Sequence, residues 1–375
     1  MTELEDYKGK EQTYLKHYVL ENYLEKLCYI IGSSWDKQIC YIDCFSGPWR
    51  SETENYKDTS IGISLKVLKE VKKGLLESQN KRVNFKAIYI EKNKQAFNEL
   101  ENILEKENTI ETAAINDKFE NAVDQILDEV GDSFSLFFID PIGWKGYGFN
   151  EINSILTHQP SELIINFMFD SINRFIETDK EEENFNKLFG GTEWKEDLNL
   201  DQTTDREKSI VNYYKSLLKE KADWNYVTNS IIPYPEKDKT YFHLLYATRH
   251  IKGLKKYKKI DYNLLDEQVK ARTKAQNGIQ QSLFSDDNGL KDPYIAEVKK
   301  ENVKSIKNDL IGFIKENKTI KYTEILDWAL EKEMVHENDI RNFILNLQNQ
   351  NKVKISDWSN RRSKIYDKDT IKYLG

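Results

Sequence analysis

The chain has 375 residues, which is enough for two domains or for one large domain with an appendage. Its formal net charge of −7 argues against a protein coated in basic charge, although a local basic patch is compatible with it. The apolar runs fall short of the ~20 residues that cross a bilayer, and the first residues are charged. We therefore expect a cytoplasmic protein without a membrane partner.

The first predicted element is a helix over residues 10–31, in which apolar and aromatic side chains recur at helical spacing. From there, strands alternate with helices as far as residue 169. Strands are predicted at 38–43, 83–90, 112–115, 133–139 and 162–169, and helices at 60–70 and beyond, 94–107, 119–130 and 149–156. The fourth and fifth strands are continuous apolar runs, as expected of strands buried on both faces. The pattern predicts a doubly wound, mostly parallel α/β sheet of the Rossmann-like kind.

The next segments are predicted to complete this α/β domain, which we place at residues 1–275. Residues 171–222 are charged and mostly helical in pattern, and are predicted to form a helical insertion after the fifth strand. Two strand-like runs at 225–232 and 240–248 are predicted to form a hairpin that closes the sheet edge. Residues 276–298 are predicted to be a linker.

A separate domain is predicted at residues 299–375. Three amphipathic helices precede two strand-like pieces in this region, at 303–316, 322–332, 337–350, 352–356 and 364–366. That order is typical of a winged helix, a helix-turn-helix variant.

The basic residues of this winged helix are candidate nucleic-acid contacts. Arg341 lies on its third helix, and Arg361, Arg362 and Lys364 lie in its wing, where they could reach phosphates. Acidic residues beside the third helix would repel phosphates. A winged helix that docks on a protein is therefore an equal alternative.

The three cysteines are Cys28, Cys40 and Cys44. They form neither a C-x-x-C pair nor a cluster with histidines, so the sequence predicts no disulfide framework and no metal site. We expect them to be small buried side chains.

Residues 40–50 hold the first candidate site, where an apolar strand ends at Asp43 and opens into a loop containing Phe45, Ser46, Gly47 and Pro48. The carboxyl ends of parallel strands face a crevice, and glycine lets a loop backbone approach a ligand closely. An ordinary turn between a strand and a helix is the alternative for this segment.

Polar residues also follow the second and third strands. Glu91 could accept hydrogen bonds from ribose hydroxyls, as acids at this position do in dinucleotide sites. Asn116 and Asp117 could bind an adenine amino group. Alternatively, Glu91 is a solvated acid near a helix start, and Asn116 and Asp117 cap the following helix.

The fourth strand ends in Asp140, followed by Pro141, Gly143 and Trp144. Proline stiffens the loop, and the tryptophan ring offers a flat face on which a planar substrate could stack. Packing of Trp144 within its own loop is the alternative.

Together these strand ends resemble the motifs of class I S-adenosylmethionine-dependent methyltransferases. The resemblance implies S-adenosylmethionine as cofactor, held by the loop at 43–48, by Glu91 at the ribose and by Asn116 or Asp117 at the adenine. It also implies that Asp140, Pro141 and Trp144 form the active-site loop.

More narrowly, the chain resembles the three-Cys-motif partner family in the segments YIDCFSGP, FFIDPIGW, LIINFMFD and YFHLLYATRHIKG. This resemblance implies a partner protein whose cysteines give the family its name. Methyl transfer to a nucleic acid is implied by the loop at 43–47, which resembles the Asp-x-Phe-x-Gly form of nucleic-acid methyltransferases.

One position departs from the methyltransferase pattern. Trp49 stands where the cofactor loop usually has a second glycine, and tryptophan cannot adopt left-handed backbone conformations cheaply. Either the loop is then reshaped, or cofactor binding is weakened or lost. A degenerate subunit that binds nucleic acid or a partner protein without catalysis is therefore the alternative function.

Overall fold

The computed structural model describes residues 2–35, 37–47, 51, 53, 56–198, 200, 205–277, 292–356, 358 and 364–375. The helices of these residues are α1 (Glu11–Ser34), α2 (Ser60–Gln79), α3 (Lys94–Leu104), α4 (Val123–Val130), α5 (Asn153–Thr157), α6 (Phe169–Phe175), α7 (Glu182–Phe189), α8 (Trp194–Leu198), α9 (Arg206–Ala222), α10 (Ile251–Asn277), α11 (Pro293–Asn317), α12 (Tyr322–Ala329) and α13 (Glu337–Asn349). The strands are β1 (Ile39–Asp43), β2 (Phe85–Ile90), β3 (Glu111–Ile115), β4 (Phe134–Ile139), β5 (Ser161–Phe167), β6 (Tyr226–Pro233), β7 (Thr240–Thr248), β8 (Thr319–Lys321), β9 (Val353–Ile355) and β10 (Thr370–Tyr373).

The described part of the chain contains a seven-stranded sheet in the order β3-β2-β1-β4-β5-β7-β6. Strands β1 to β5 are parallel, and β7 runs antiparallel to both of its neighbours. The predicted mostly parallel α/β sheet is thus confirmed. The predicted closing hairpin is present as the antiparallel pair β6 and β7, in which β6 is the outer strand.

The burial of each strand follows its place in the sheet. Every residue of β1, β2 and β5 is buried, because each of these inner strands lies between two others and both of its faces are covered. Strand β3 lies at the edge and is half-exposed or exposed along its length. The described residues of the predicted insertion are mostly helical and form α6 to α9.

The C-terminal region contains α11 to α13 and a three-stranded antiparallel sheet in the order β8-β10-β9. Helix α11 begins within the predicted linker because Asp292 caps it, accepting a hydrogen bond from Ile295 N at 3.0 Å, with Pro293 at the first helical position. Residues 364–366, predicted as a strand, are not one. The last strand is β10, which pairs with β8 and β9.

A buried polar cluster joins the C-terminal region to α10 and β6. Asp261 accepts hydrogen bonds from Lys258 Nζ at 2.7 Å and Ser230 Oγ at 2.6 Å, and its carboxylate lies 3.2 Å from His336 Nε2. Burial acts to raise the pKa of Asp261, but the charge of Lys258 and the contact with His336 hold it well below its usual range. The cluster therefore fixes the C-terminal region against the outer side of the large sheet.

Cys28, Cys40 and Cys44 are all buried, as predicted. None of the described helices is both long enough and apolar enough to cross a membrane.

Candidate functional site

The candidate site lies where the strand order reverses. From β1 the chain proceeds through β2 to β3 on one side and then returns to place β4 on the other side of β1. In open α/β sheets, ligands bind at such a switch point, outside the carboxyl ends of the strands. Asp43 ends β1, and Asp140 follows β4 by one residue. The two predicted acids thus flank the switch point.

Asp43 is fully buried, and only one of its carboxylate oxygens is engaged. Oδ1 accepts a hydrogen bond from Phe45 N at 3.3 Å, whereas Oδ2 has no hydrogen-bond partner among the described residues. Burial, together with the charge of Asp140, raises the pKa of Asp43 to about 7, against the lowering effects of the Ser60 hydroxyl and the Phe45 amide. A buried acceptor without a donor is costly, so this oxygen is a candidate ligand contact.

Ser46 joins the loop after β1 to the end of β2. Its hydroxyl donates to Asp43 O at 3.0 Å and accepts from Ile90 N at 3.1 Å, and its amide donates to Ile90 O at 2.9 Å. Phe45 packs edge-to-face on Phe119, with ring centroids 5.4 Å apart. These contacts hold the loop in place up to Gly47. The predicted contact Pro48, and Trp49, which departs from the methyltransferase pattern, lie outside the described residues.

Gly47 and Glu91 lie directly against each other. A Cβ built on Gly47 would fall 1.3 Å from Glu91 Oε2, so the glycine leaves room for the carboxylate. Oε1 of Glu91 accepts a hydrogen bond from Asn93 N at 2.5 Å, and among the described residues Oε2 accepts none. The structure therefore brings two predicted cofactor residues into one place.

The two residues after β3 are placed differently. Asn116 Nδ2 donates to the carbonyl oxygen of Glu91 at 2.8 Å, so Asn116 belongs to the same strand-end cluster. Asp117 is exposed, and its Oδ1 accepts from Lys118 N at 2.7 Å and from Asn121 Nδ2 at 3.1 Å. Asp117 thus stabilises the turn that follows, but it does not cap the short helix at Phe119–Asn121, which has Lys118 at its N-cap and no side-chain cap.

Asp140 is held by two residues that the sequence did not identify as site residues. Lys16 Nζ of α1 contacts Oδ2 at 2.5 Å, and Asn166 Nδ2 of β5 donates to Oδ1 at 2.7 Å. Asn166 Oδ1 has no hydrogen-bond partner among the described residues. The sequence offers a signal for Asn166, a polar residue in the apolar run ELIINFMF, and none for Lys16.

Trp144 packs inside the protein and does not present a free ring face to a ligand. Its ring stacks on Phe185 of α7, with centroids 4.1 Å apart and planes 4° from parallel, and Lys145 Nζ lies 5.0 Å from its centroid. The side chain is 5% exposed. The structure therefore favours the packing alternative over the predicted stacking role. Pro141 is also buried, and Ile142 forms the tip of the loop, 86% exposed.

The predicted nucleic-acid contacts lie in the C-terminal region. Arg341 of α13 donates to Asn338 Oδ1, three residues earlier on the same helix. Lys364 is exposed, with its Nζ 5.1 Å from the ring centroid of Tyr366. Arg361 and Arg362 lie outside the described residues. These contacts stay a prediction.

Comparisons with known proteins leave the family of this chain open. No family model matches the chain, and no curated protein matches it. A solved structure from Legionella pneumophila, a protein of the DUF519 family, matches with a TM-score of 0.35 and 12% identity, over 70% of this chain and 93% of that one. A likeness at this level carries no argument about fold or function.

Proposed function

We propose that this chain is an S-adenosylmethionine-dependent methyltransferase that acts on a nucleic acid, as the resemblance of its first loop to those of nucleic-acid methyltransferases implies. The observation that carries the proposal is the cluster at the switch point of the sheet. There the unpaired Oδ2 of Asp43 and the carboxylate of Glu91 seated on Gly47 lie beside the loop of Asp140.

The residues present fit the proposed cofactor. S-adenosylmethionine carries hydrogen-bond donors on its ribose and its amino group, and a positive charge on sulfur. Asp43 Oδ2 and Glu91 Oε2 are acceptors without donors among the described residues. Asp43 and Asp140 act on each other as like charges, and Lys16 is the cation that offsets them. Such a cluster favours a cationic ligand over the pyrophosphate of a dinucleotide.

The roles of the residues follow from their places. When bound, S-adenosylmethionine supplies a methyl group on a positively charged sulfur. Asp43 and Glu91 would accept hydrogen bonds from the cofactor, and Gly47 would let the loop backbone approach it. Asp140 would accept a hydrogen bond from an acceptor amine and orient it, while Lys16 and Asn166 hold its carboxylate. Most of the acceleration would come from this positioning.

The test is calorimetric binding of S-adenosylmethionine and S-adenosylhomocysteine, with ATP and NAD as comparison ligands. We expect the two S-adenosyl compounds to bind selectively, and Asp43→Asn and Glu91→Gln to weaken them. Glu101→Gln, at an exposed position on α3, is the matched control and should bind normally. Equal binding of ATP or NAD, or no binding of either S-adenosyl compound, would overturn the proposal.

A second function, a subunit that binds without catalysis, is favoured by one observation. Both carboxylate oxygens of Asp140 already have a hydrogen-bond donor: Lys16 donates to one and Asn166 to the other. An acceptor amine would have to share or displace one of these contacts. Transfer of labelled methyl groups to total cellular RNA and DNA separates the two functions. If Asp140→Asn abolishes transfer, the enzyme is supported. If neither the wild type nor Asp140→Asn transfers methyl groups while both still bind nucleic acid, the binding subunit is supported.

A further inference from the structure

The small sheet of the C-terminal region has one buried face and one basic face. Ile320, Ile355 and Ile371 point inward and pack in the local core, and the registers pair Ile371 with both of the others. Side chains alternate along a strand, so the residues between them point outward. The outward face carries the exposed lysines Lys321, Lys354 and Lys372, joined by Lys352 just before β9.

Within the part of the chain that the structure describes, the strands of this basic face carry no compensating acid. None of the strands β8, β9 and β10 includes an Asp or a Glu. Among the described residues, none of the four lysines makes an ion pair. Lys372 and Lys354 are direct cross-strand partners, and like charges in that arrangement destabilise a sheet.

The spacing of the lysines keeps this repulsion effective. Neighbouring strands are about 5 Å apart, and outward residues of one strand about 7 Å. Both distances lie within the Debye length of about 8 Å at physiological ionic strength, so solvent ions screen the charges only in part. A row of negative charges laid across the face would offset the repulsion.

We propose that the face formed by Lys321, Lys352, Lys354 and Lys372 binds the phosphate backbone of a nucleic acid. The inference takes the nucleic-acid acceptor from the proposed function and assigns it a surface. Duplex DNA carries one charge per about 1.7 Å of its axis, so several phosphates fall within the span of the face. The contacts would be to phosphates and would position the substrate without reading its bases.

The composition of the face favours a nucleic acid over a lipid surface. Threonine hydroxyls of Thr319 and Thr370 accompany the lysines and can donate to phosphate oxygens. Among the described residues in these strands and next to their ends, Leu374, 51% exposed, is the large exposed apolar one. Surface binding to membranes needs an apolar side that enters the lipid, and a single leucine does not provide one.

The surface differs from the one that the sequence predicts. Arg341 hydrogen-bonds to Asn338 on its own helix, and Glu337 and Asp339 begin that helix. The acids would repel phosphates near Arg341. The strands that carry the lysines, by contrast, contain no acidic residue.

The experiment measures binding of labelled single-stranded RNA, single-stranded DNA and duplex DNA to the full chain over a series of salt concentrations. The test variant replaces Lys321, Lys354 and Lys372 with glutamine. The matched control replaces three exposed lysines elsewhere, Lys106, Lys221 and Lys304, with glutamine. Both variants change the net charge equally, and removal of opposed lysines should not unfold the sheet. Vesicles rich in phosphatidylserine and a polyglutamate peptide are the comparison ligands.

We expect the test variant to lose at least about tenfold in affinity for nucleic acid, and its plot of log K against log salt to become shallower by about 2 for a single strand. The control variant should bind like the wild type. The proposal is overturned if both variants lose affinity for nucleic acid equally or if neither loses affinity. It is also overturned if vesicles or polyglutamate bind more tightly than nucleic acid through the same lysines. The assay needs no methyl donor. If the chain binds nucleic acid through this face but does not bind S-adenosylmethionine, only the proposed function is contradicted.

Discussion

The carboxylate of Glu91 occupies the space that a side chain at Gly47 would need. The Cβ of an alanine at that position would fall 1.3 Å from Oε2 and 2.4 Å from Cδ. Because the atoms in the way belong to the end of a flexible side chain, the fold can yield by moving Glu91. A side chain at position 47 should therefore disturb the candidate site more than it lowers the stability of the fold.

Gly47→Ala should displace the Glu91 carboxylate and weaken S-adenosylmethionine binding by at least about tenfold. The midpoint of thermal unfolding should change little. Gly312→Ala, in helix α11 with nothing within 4 Å of the new Cβ, is the control and should bind normally while stabilising its helix by about 0.5–1 kcal/mol. Unchanged binding by Gly47→Ala in calorimetry would show that Glu91 does not contact the cofactor.

Asp43→Asn should stabilise the chain at neutral and higher pH. Burial raises the pKa of Asp43 from 3.8 to about 7, so the folded state holds the proton more tightly than the unfolded state. Stability contributed by this group is then present at low pH and is lost as the pH rises from 3.8 to about 7. The ionised form costs on the order of 4 kcal/mol, and the unpaired amide of asparagine costs ~1–3 kcal/mol.

The net gain expected above pH 7 is therefore about 2 kcal/mol in the free energy of unfolding. Urea denaturation across the pH range measures it. Glu162, whose pKa burial also raises to about 7, should leave a residual slope of the same sign in the variant. Asp128→Asn, at an exposed position, is the control. Identical pH slopes for the wild type and Asp43→Asn would contradict the prediction.

Lys16 and Asp140 should be coupled in a double-mutant cycle. Their side chains are 13% and 15% exposed, so their charges are poorly screened, and loss of either leaves the other without its ion-pair partner. We expect Lys16→Met and Asp140→Asn to show a coupling of about 2 kcal/mol in the free energy of unfolding. The pair Lys37 and Asp132, 56% and 79% exposed, is the control, and solvent screening should leave its coupling too small to resolve. Equal couplings for the two pairs would refute a special role for Lys16.

The strand ends of this site can be predicted from sequence because each is a local pattern. Asp43 and Asp140 close apolar runs, and glycine in the first loop marks a close approach. Strands β1 to β5 therefore fall within a few residues of their predicted places. The contact between Lys16 and Asp140 joins residues 124 apart in sequence, and it exists only because the sheet order brings α1 to the end of β4. No local pattern encodes that order.

The packing of Trp144 could not be predicted for the same reason, because it depends on a residue distant in sequence. Its sequence context, a rigid loop after an acid, describes the backbone but not the partner of the ring. Phe185 comes from a helix of the insertion, and its place over Trp144 depends on how that insertion packs. A distant packing partner thus overrides a role that the loop by itself permits.

Lys372→Gln should stabilise the C-terminal sheet. The change removes one of two lysines that face each other across β9 and β10, so the free energy of unfolding should rise by about 0.2–1 kcal/mol. The gain should shrink as salt is added, because screening weakens the repulsion that is removed. Lys304→Gln, on the exposed side of α11, is the control and should have no such effect. A destabilised Lys372→Gln at low salt would show that the lysine has a stabilising contact instead.

The placement of the C-terminal region has a consequence for self-association. Strand β6 is eight residues long and lies at the outside of the large sheet, paired on one side with β7. The C-terminal region covers it: Thr228 Oγ1 donates to Leu330 O at 3.4 Å, and Asn229 Nδ2 donates to Glu333 Oε1 at 3.1 Å. An uncovered outer strand of this length and apolar character is a template for pairing with another chain. By covering β6, the C-terminal region therefore also protects the chain against aggregation, and this effect does not depend on which ligand its basic face binds.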